Sequence, residues 1–175
     1  MVAYHDDEWG TPVHDDVELF ERLALESFQA GLSWSTILRK REAFRAAFRG
    51  FDPAVVSGFD DGDRDRLMAD AAIVRNRAKV EATIGNAAAL LRTAVEFGSF
   101  DRYLLALVPP PPRRLPPDAE SGQIPSTTSV SDAMSADLKG RGFRFVGSTI
   151  VYSFMQSVGL VDDHLPACFR YGGPS

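Results

Sequence analysis

Apolar residues recur along most of the chain every three or four positions, broken by short polar stretches of Asp, Ser, Gly and Pro. That spacing predicts helices packed by one face. Asp15 and Asp16 stand where they can cap a helix carrying Leu19, Phe20, Leu23 and Phe28. Ser33 can cap a second, with Ile37, Leu38, Phe44 and Phe48 on one side. Asp52-Pro53 places a cap residue before a first-turn proline and starts a short helix. Val80, Ile84, Ala87, Leu91 and Ala94 mark the clearest helix, and Gly98 stops it. Ser99 can cap the next, which bears Phe100, Leu104 and Leu107. Pro109 to Pro112, Pro116 and Pro117 cannot continue it, so residues 109–123 are expected to form an exposed loop. Too little chain follows for a separate domain. Helical spacing resumes at about 131–139 and 149–158. With no period-2 strand and no internal repeat, the expected fold is all-α, with residues 1–175 as a single domain.

Composition narrows the class. The 175 residues are 45% hydrophobic and 25% charged, which suits a soluble globular domain. No apolar run approaches the roughly 18 residues of a spanning helix, and Met1 to Gly10 is polar and acidic rather than a leader. No membrane partner is therefore expected. Cys168 is the only cysteine, which rules out an internal disulfide and suits a reducing cytoplasm. The net charge of −5 argues against nucleic acid in bulk, but binding can rest on a local basic face. Three clusters offer one: Arg39, Lys40, Arg41, Arg45 and Arg49; Arg75, Arg77 and Lys79; and Lys139, Arg141 and Arg144. Each can equally be a solvated helix face.

Between the last two helical patterns, Gly142 and Gly147 bracket the tight apolar turn Phe143-Arg144-Phe145-Val146. A helix–hairpin–helix of this kind can aim backbone N–H groups and a helix N-terminus at a phosphate. Lys139, Arg141 and Arg144 would add charge. An ordinary helix connection with a buried corner fits the same residues.

Taken together, several segments resemble one family. They are Tyr4-His5-Asp6-Asp7-Glu8-Trp9-Gly10, residues 25–34 (Leu25 to Trp34, with Glu26 near its start), Ile73 to Lys79, and Gly142-Phe143-Arg144-Phe145-Val146-Gly147. Tyr152-Ser153-Phe154-Met155-Gln156 and Asp163-His164 complete the set. In this order they resemble the bacterial 3-methyladenine DNA glycosylase I family, from about Tyr4 to Phe169. The resemblance implies a helix–hairpin–helix DNA glycosylase, working as a monomer on double-stranded alkylated DNA. Such enzymes flip the damaged nucleotide into a pocket and hydrolyse its N-glycosidic bond. 3-Methyladenine is cationic in the nucleoside, so it leaves readily, and a carboxylate or aromatic face can prefer it to adenine.

Glu26 sits in an otherwise apolar stretch, where a carboxyl must be paired, protonated or functional. The resemblance implies that it accepts hydrogen bonds from the purine edge, that Trp34 stacks on the flipped base, and that Tyr4 walls the pocket. Trp9 is a further candidate for the same pocket, or its structural lid. Gly142, Arg144, Gly147 and Lys139 are implied as DNA contacts, and Lys79 looks like a phosphate contact as well. The family usually reads Val-Asn-Asp-His where this chain reads Val161-Asp162-Asp163-His164. Asp162 stands where related enzymes hold a catalytic aspartate. It can stabilise charge on the sugar or orient the attacking water, or it is a conservative surface replacement.

The resemblance also implies zinc. His5, His164 and Cys168 match three ligands of a structural site that ties the termini together. His164 and Cys168, four apart, would share one face of a helix. The family's fourth ligand is a cysteine upstream of the Tyr-His-Asp segment, which this sequence lacks, and His14 is a spare candidate. Structural zinc usually takes four ligands. Completion by water or an acidic side chain, a defunct site and a missing N-terminal stretch all stay open. Two other readings of the whole chain remain: a module that holds alkylated bases without cutting, and a helical scaffold for a protein partner.

Overall fold

Capping starts most of the helices where the sequence predicts them. The computed structural model describes residues 1–172. The Asp15 carboxylate accepts from the backbone of Val17 and Glu18 and opens α2 (Asp16–Gln29). Ser33 opens α3 (Trp34–Ala47), Asp52 opens α4 (Pro53–Val56) and Ser99 opens α7 (Phe100–Leu107). The long α6 (Arg77–Phe97) starts on Asn76 and stops at Gly98, whose φ of 92° only glycine adopts freely. The last two helices are α8 (Ser129–Gly140) and α9 (Ser148–Ser157). Asp16, expected as a cap for its own helix, reaches instead to α7, where it accepts from the backbone N–H groups of Phe100 and Asp101.

Two helices escape the apolar spacing. They are α1 (Val2–Asp7), which buries only Tyr4, and α5 (Asp61–Ala69), which buries only Leu67. The all-α expectation needs one small amendment. β1 (Arg113–Arg114) and β2 (Val161–Asp162) form a two-residue parallel pair. The Pro-rich segment is accordingly a strap rather than a free loop. It buries Leu115 and Ala119, and its two arginines lie against the segment that follows α9.

α2 is the central element, packed against α3, α6, α7 and α9. Phe20, Phe28, Phe44, Phe48 and Phe51 are fully buried beside it in a run of ring contacts. Burial of such side chains stabilises the fold by about 1.5–3 kcal/mol each. Because α2 is buried on nearly every side, any polar residue on its inner face lies at the heart of the molecule.

Candidate active site

Glu26 is such a residue. It is 6% exposed, near the C-terminal end of α2, and makes no hydrogen bond with any described residue. Burial pushes its carboxyl up to about 8, against a smaller opposing pull from the Arg22 guanidinium one turn earlier. It opens onto a cavity of about 330 Å³ that Tyr4, Trp9, Gln29, Trp34, Ser153 and Gln156 also line. The Gly31 break, with its φ of 84°, ends α2 and turns the chain so that Trp34 starts α3 at this mouth. The Trp34 and Tyr4 rings stand 5.4 Å apart, tilted by 54°. The Tyr4 hydroxyl is buried without a partner, and burial above all raises it to about 12. A cavity walled by two aromatic faces, with an unpartnered carboxyl and an unpartnered hydroxyl, suits a flat, positively charged ring. Tyr4, Trp9, Glu26 and Trp34, named together in the sequence analysis, line this one cavity. The sequence reading misses Gln156 and Ser153, although the Tyr152 to Gln156 motif contains both.

Asp162 is not in this cavity. Its Oδ1 accepts from His164 Nδ1 at 2.8 Å and its Oδ2 from Arg114 Nε at 3.0 Å. With both oxygens engaged away from the pocket, the expectation that it acts on the sugar or the attacking water is corrected. Its neighbour Asp163 is fully buried, accepting from Tyr152 Oη at 2.5 Å, Gln156 Nε2 at 2.8 Å and Arg113 Nη2 at 2.7 Å. Asp163 therefore holds the pocket residue Gln156 in place.

His5, His164 and Cys168 converge, with their candidate ligand atoms all within 4.8 Å of one another. His164 Nε2 is buried without a partner. The cluster adjoins the cavity, which His5 and Trp9 both line, and Trp9 is stacked on His5 at 6.0 Å and edge-on to His164 at 4.8 Å. The cluster is not built on a helix as the four-residue spacing suggests. Residues 163–165 are irregular and 166–172 form turns, and Cys168 is brought round by a backbone bond from its N–H to Leu165 O. His14 pairs with Asp101 instead, at 3.0 Å.

The hairpin joins α8 to α9 and is held from below. Asn86 of α6 accepts from the Arg144 N–H at 2.8 Å and donates to the Arg144 carbonyl at 2.9 Å. Ser27 of α2 donates to the Phe145 carbonyl, and Ser135 of α8 to that of Val146. These bonds support a tight path in which Gly142 has φ 95° and Phe145 has φ 54°. Gly147 caps α9 with no side chain, which leaves its first-turn N–H groups without a side-chain cap. Lys139, Gly142 and Arg144 are exposed and Gly147 partly so. Nothing in the sequence marks Asn86 or Ser27 as the clamps.

Much of the rest of the expected basic face is spent internally. Arg41 pairs with Glu21 and Glu8, Arg45 with Glu21 and Glu42, and Arg141 with Glu96 and Asp137. Lys40 caps the carbonyls of Ala71 and Ala72. Lys79 is corrected from a phosphate contact to a buried cap, donating to the Phe28 and Ala30 carbonyls at the end of α2. Desolvation lowers its pKa.

Comparison with known proteins agrees with this geometry. Residues 1–171 match the family model for methyladenine glycosylase. DNA-3-methyladenine glycosylase 1 of Escherichia coli is 48% identical over 172 residues, covering 98% of this chain and 91% of its own length. A crystal structure of 3-methyladenine DNA glycosylase I superposes with a TM-score of 0.93 at 45% identity, covering 97% of this chain and 93% of the other. The Staphylococcus aureus enzyme, solved to give the structural basis of its 3-methyladenine recognition, superposes with a TM-score of 0.93 at 39% identity, covering 99% and 91%. The chain belongs to the methyladenine glycosylase family.

Proposed function

We propose that this chain excises 3-methyladenine from alkylated double-stranded DNA, leaving an abasic site. The observation that carries this reading is Glu26, buried and without a hydrogen-bond partner among the described residues, in a cavity lined by Tyr4, Trp9 and Trp34. The hairpin and the N-terminus of α9 grip the backbone without reading sequence. The flipped base enters the cavity that Trp34 and Tyr4 line, whose own rings already pack against each other at 5.4 Å. Stacking on an aromatic face is worth about 1–3 kcal/mol, and Glu26 supplies the charge that a cationic purine offers to match. A base that leaves as a neutral molecule needs little acid catalysis, so the pocket's work is selection and electrostatic support. Ordinary adenine brings no positive charge to offset the cost of ionising Glu26, and it is rejected for that reason. Among the described residues no helix is long and apolar enough to cross a membrane. A DNA substrate and bacterial relatives fit work in the cytoplasm.

A zinc ion fits the His5, His164 and Cys168 cluster. Two imidazoles and a thiol are suitable donors, and the buried, unpartnered Nε2 of His164 is a ligand atom in waiting. Bound there, zinc would supply structure, tying α1 to the C-terminal turns, and no chemistry on the base. Metal analysis of chelator-free protein is expected to find about one zinc per chain; far less removes the metal from the reading.

Base release from methylated duplex DNA, resolved by methylpurine, tests the activity. Release of 3-methyladenine with 7-methylguanine left in place is the expected result. Intact DNA after incubation with folded, DNA-binding protein would instead mark a lesion-holding module.

A further inference from the structure

His164 is held by more than its own backbone. The strap lays Arg114 beside Asp162 in parallel register, and Arg114 Nε fixes Asp162 Oδ2 at 3.0 Å. The other oxygen, Oδ1, accepts from the His164 backbone N–H at 3.3 Å and from its ring Nδ1 at 2.8 Å. Both Asp162 oxygens already accept, Oδ2 from Arg114 and Oδ1 from the His164 backbone, so at the ring contact Nδ1 is the donor and Nε2 keeps its lone pair. That Nε2 is the atom left buried without a partner in the cluster with His5 and Cys168. The ring cannot swing away. Gly10 packs so closely that a Cβ there would lie 2.6 Å from His164 Cε1, and Trp9 stands edge-on at 4.8 Å.

We propose that Asp162, pinned by Arg114 of the Pro-rich strap, is a positioning residue that sets the tautomer and orientation of His164 for a metal ion. Carboxylate partners of metal-bound imidazoles act in this way, orienting the ring and raising its basicity. The residue that resembles a catalytic aspartate in sequence thus serves the cluster that ties the two ends of the chain. The strap becomes part of the same device, because its register brings Arg114 to Asp162. The inference rests on the zinc reading above and goes beyond it by assigning Asp162 and Arg114 to a site where neither is a ligand.

The test measures zinc affinity of the full chain by competition with a chromogenic chelator under reducing conditions. In parallel, proton–nitrogen NMR of the metal-free protein reads the His164 ring tautomer. Asp162→Ala is expected to bind zinc about 10–100-fold more weakly and to lose the dominance of the Nδ1–H tautomer. Asp162→Asn keeps a carbonyl acceptor, so it should hold that tautomer and recover part of the affinity. A packing role alone would not move the tautomer. Should Asp162→Ala fail to fold, Arg114→Met decides, with a smaller loss of affinity expected in the same direction. Wild-type affinity and an unchanged tautomer in the folded variants would overturn the positioning role while leaving the zinc reading intact. Wild-type protein that takes up no zinc would overturn the zinc reading and the positioning role with it.

Discussion

The cavity around Glu26 and the hairpin between α8 and α9 bury polar groups in opposite ways. In the hairpin, Asn86, Ser27 and Ser135 each find a backbone partner across the fold. In the cavity, neither the Tyr4 hydroxyl nor the Glu26 carboxyl has a hydrogen-bond partner among the described residues. The first arrangement fixes one backbone path, which a surface that meets a regular phosphate backbone requires. The second leaves free energy to be recovered only when a ligand arrives, which a selective pocket requires. Stability sits in the hairpin, and the cost of function sits in the cavity.

Removing the cavity's carboxyl should therefore help the fold. A buried acid whose folded pKa is raised favours the protonated state. Its burden on stability is absent below its unfolded value of 4.5 and grows until pH passes about 8. Glu26→Gln is expected to gain stability over wild type through that window, by up to about 5 kcal/mol at pH 9. Thermal unfolding of both proteins between pH 4 and 9 checks it, and parallel curves would mean that Glu26 is solvated. The same substitution should lower 3-methyladenine release on the order of 10²-fold, since an amide keeps the shape and loses the charge. DNA affinity should fall much less. Equal loss of both would place Glu26 in DNA binding rather than in the pocket.

The hairpin should respond the other way. Asn86→Ala strands the Arg144 N–H and carbonyl, and an expected loss of about 2 kcal/mol in stability follows from two unmade bonds. DNA binding should weaken with it on every sequence tried, while the tilt of Trp34 against Tyr4 stays as it is. Denaturant unfolding alongside affinity for undamaged duplex measures both. A stable Asn86→Ala protein with loosened base specificity would erase the division between the two regions.

The same division explains what the sequence discloses. Helices α2, α3, α6 and α9 are legible because their apolar faces repeat, and Ser33, Asp52 and Ser99 mark starts that the structure keeps. α5 is not, because its segment Asp-Gly-Asp-Arg-Asp-Arg has no apolar face until Leu67. Glu26 is legible as a lone carboxyl in an apolar run, whereas its place in a pocket with Tyr4 and Trp34 is read from the family resemblance. The charges are not legible. Arg41 and Lys79 look like any basic residue on a helix until the fold brings Glu21 to one and the α2 carbonyls to the other. Asp162 is misjudged for the same reason. Its part is set by His164 and by Arg114, 48 residues away in sequence.

Arg144 carries the finest test of the comparison. Its backbone is clamped by Asn86, but its side chain is exposed and takes part in no ion pair among the described residues, unlike Arg141 nearby. A backbone contact of this kind contributes through released counterions, so its loss is felt as salt dependence. Arg144→Ala should weaken binding uniformly across sequences and reduce the slope of log affinity against log salt by about 1. Arg141→Ala, which breaks internal pairs to Glu96 and Asp137, should cost stability and leave that slope nearly unchanged. Titrations of undamaged duplex at four or five salt concentrations separate the two. If Arg141 rather than Arg144 moved the slope, the phosphate would lie on the α6 side of the hairpin, and the exposed face argued from Gly142, Arg144 and Gly147 would have to be turned toward Glu96.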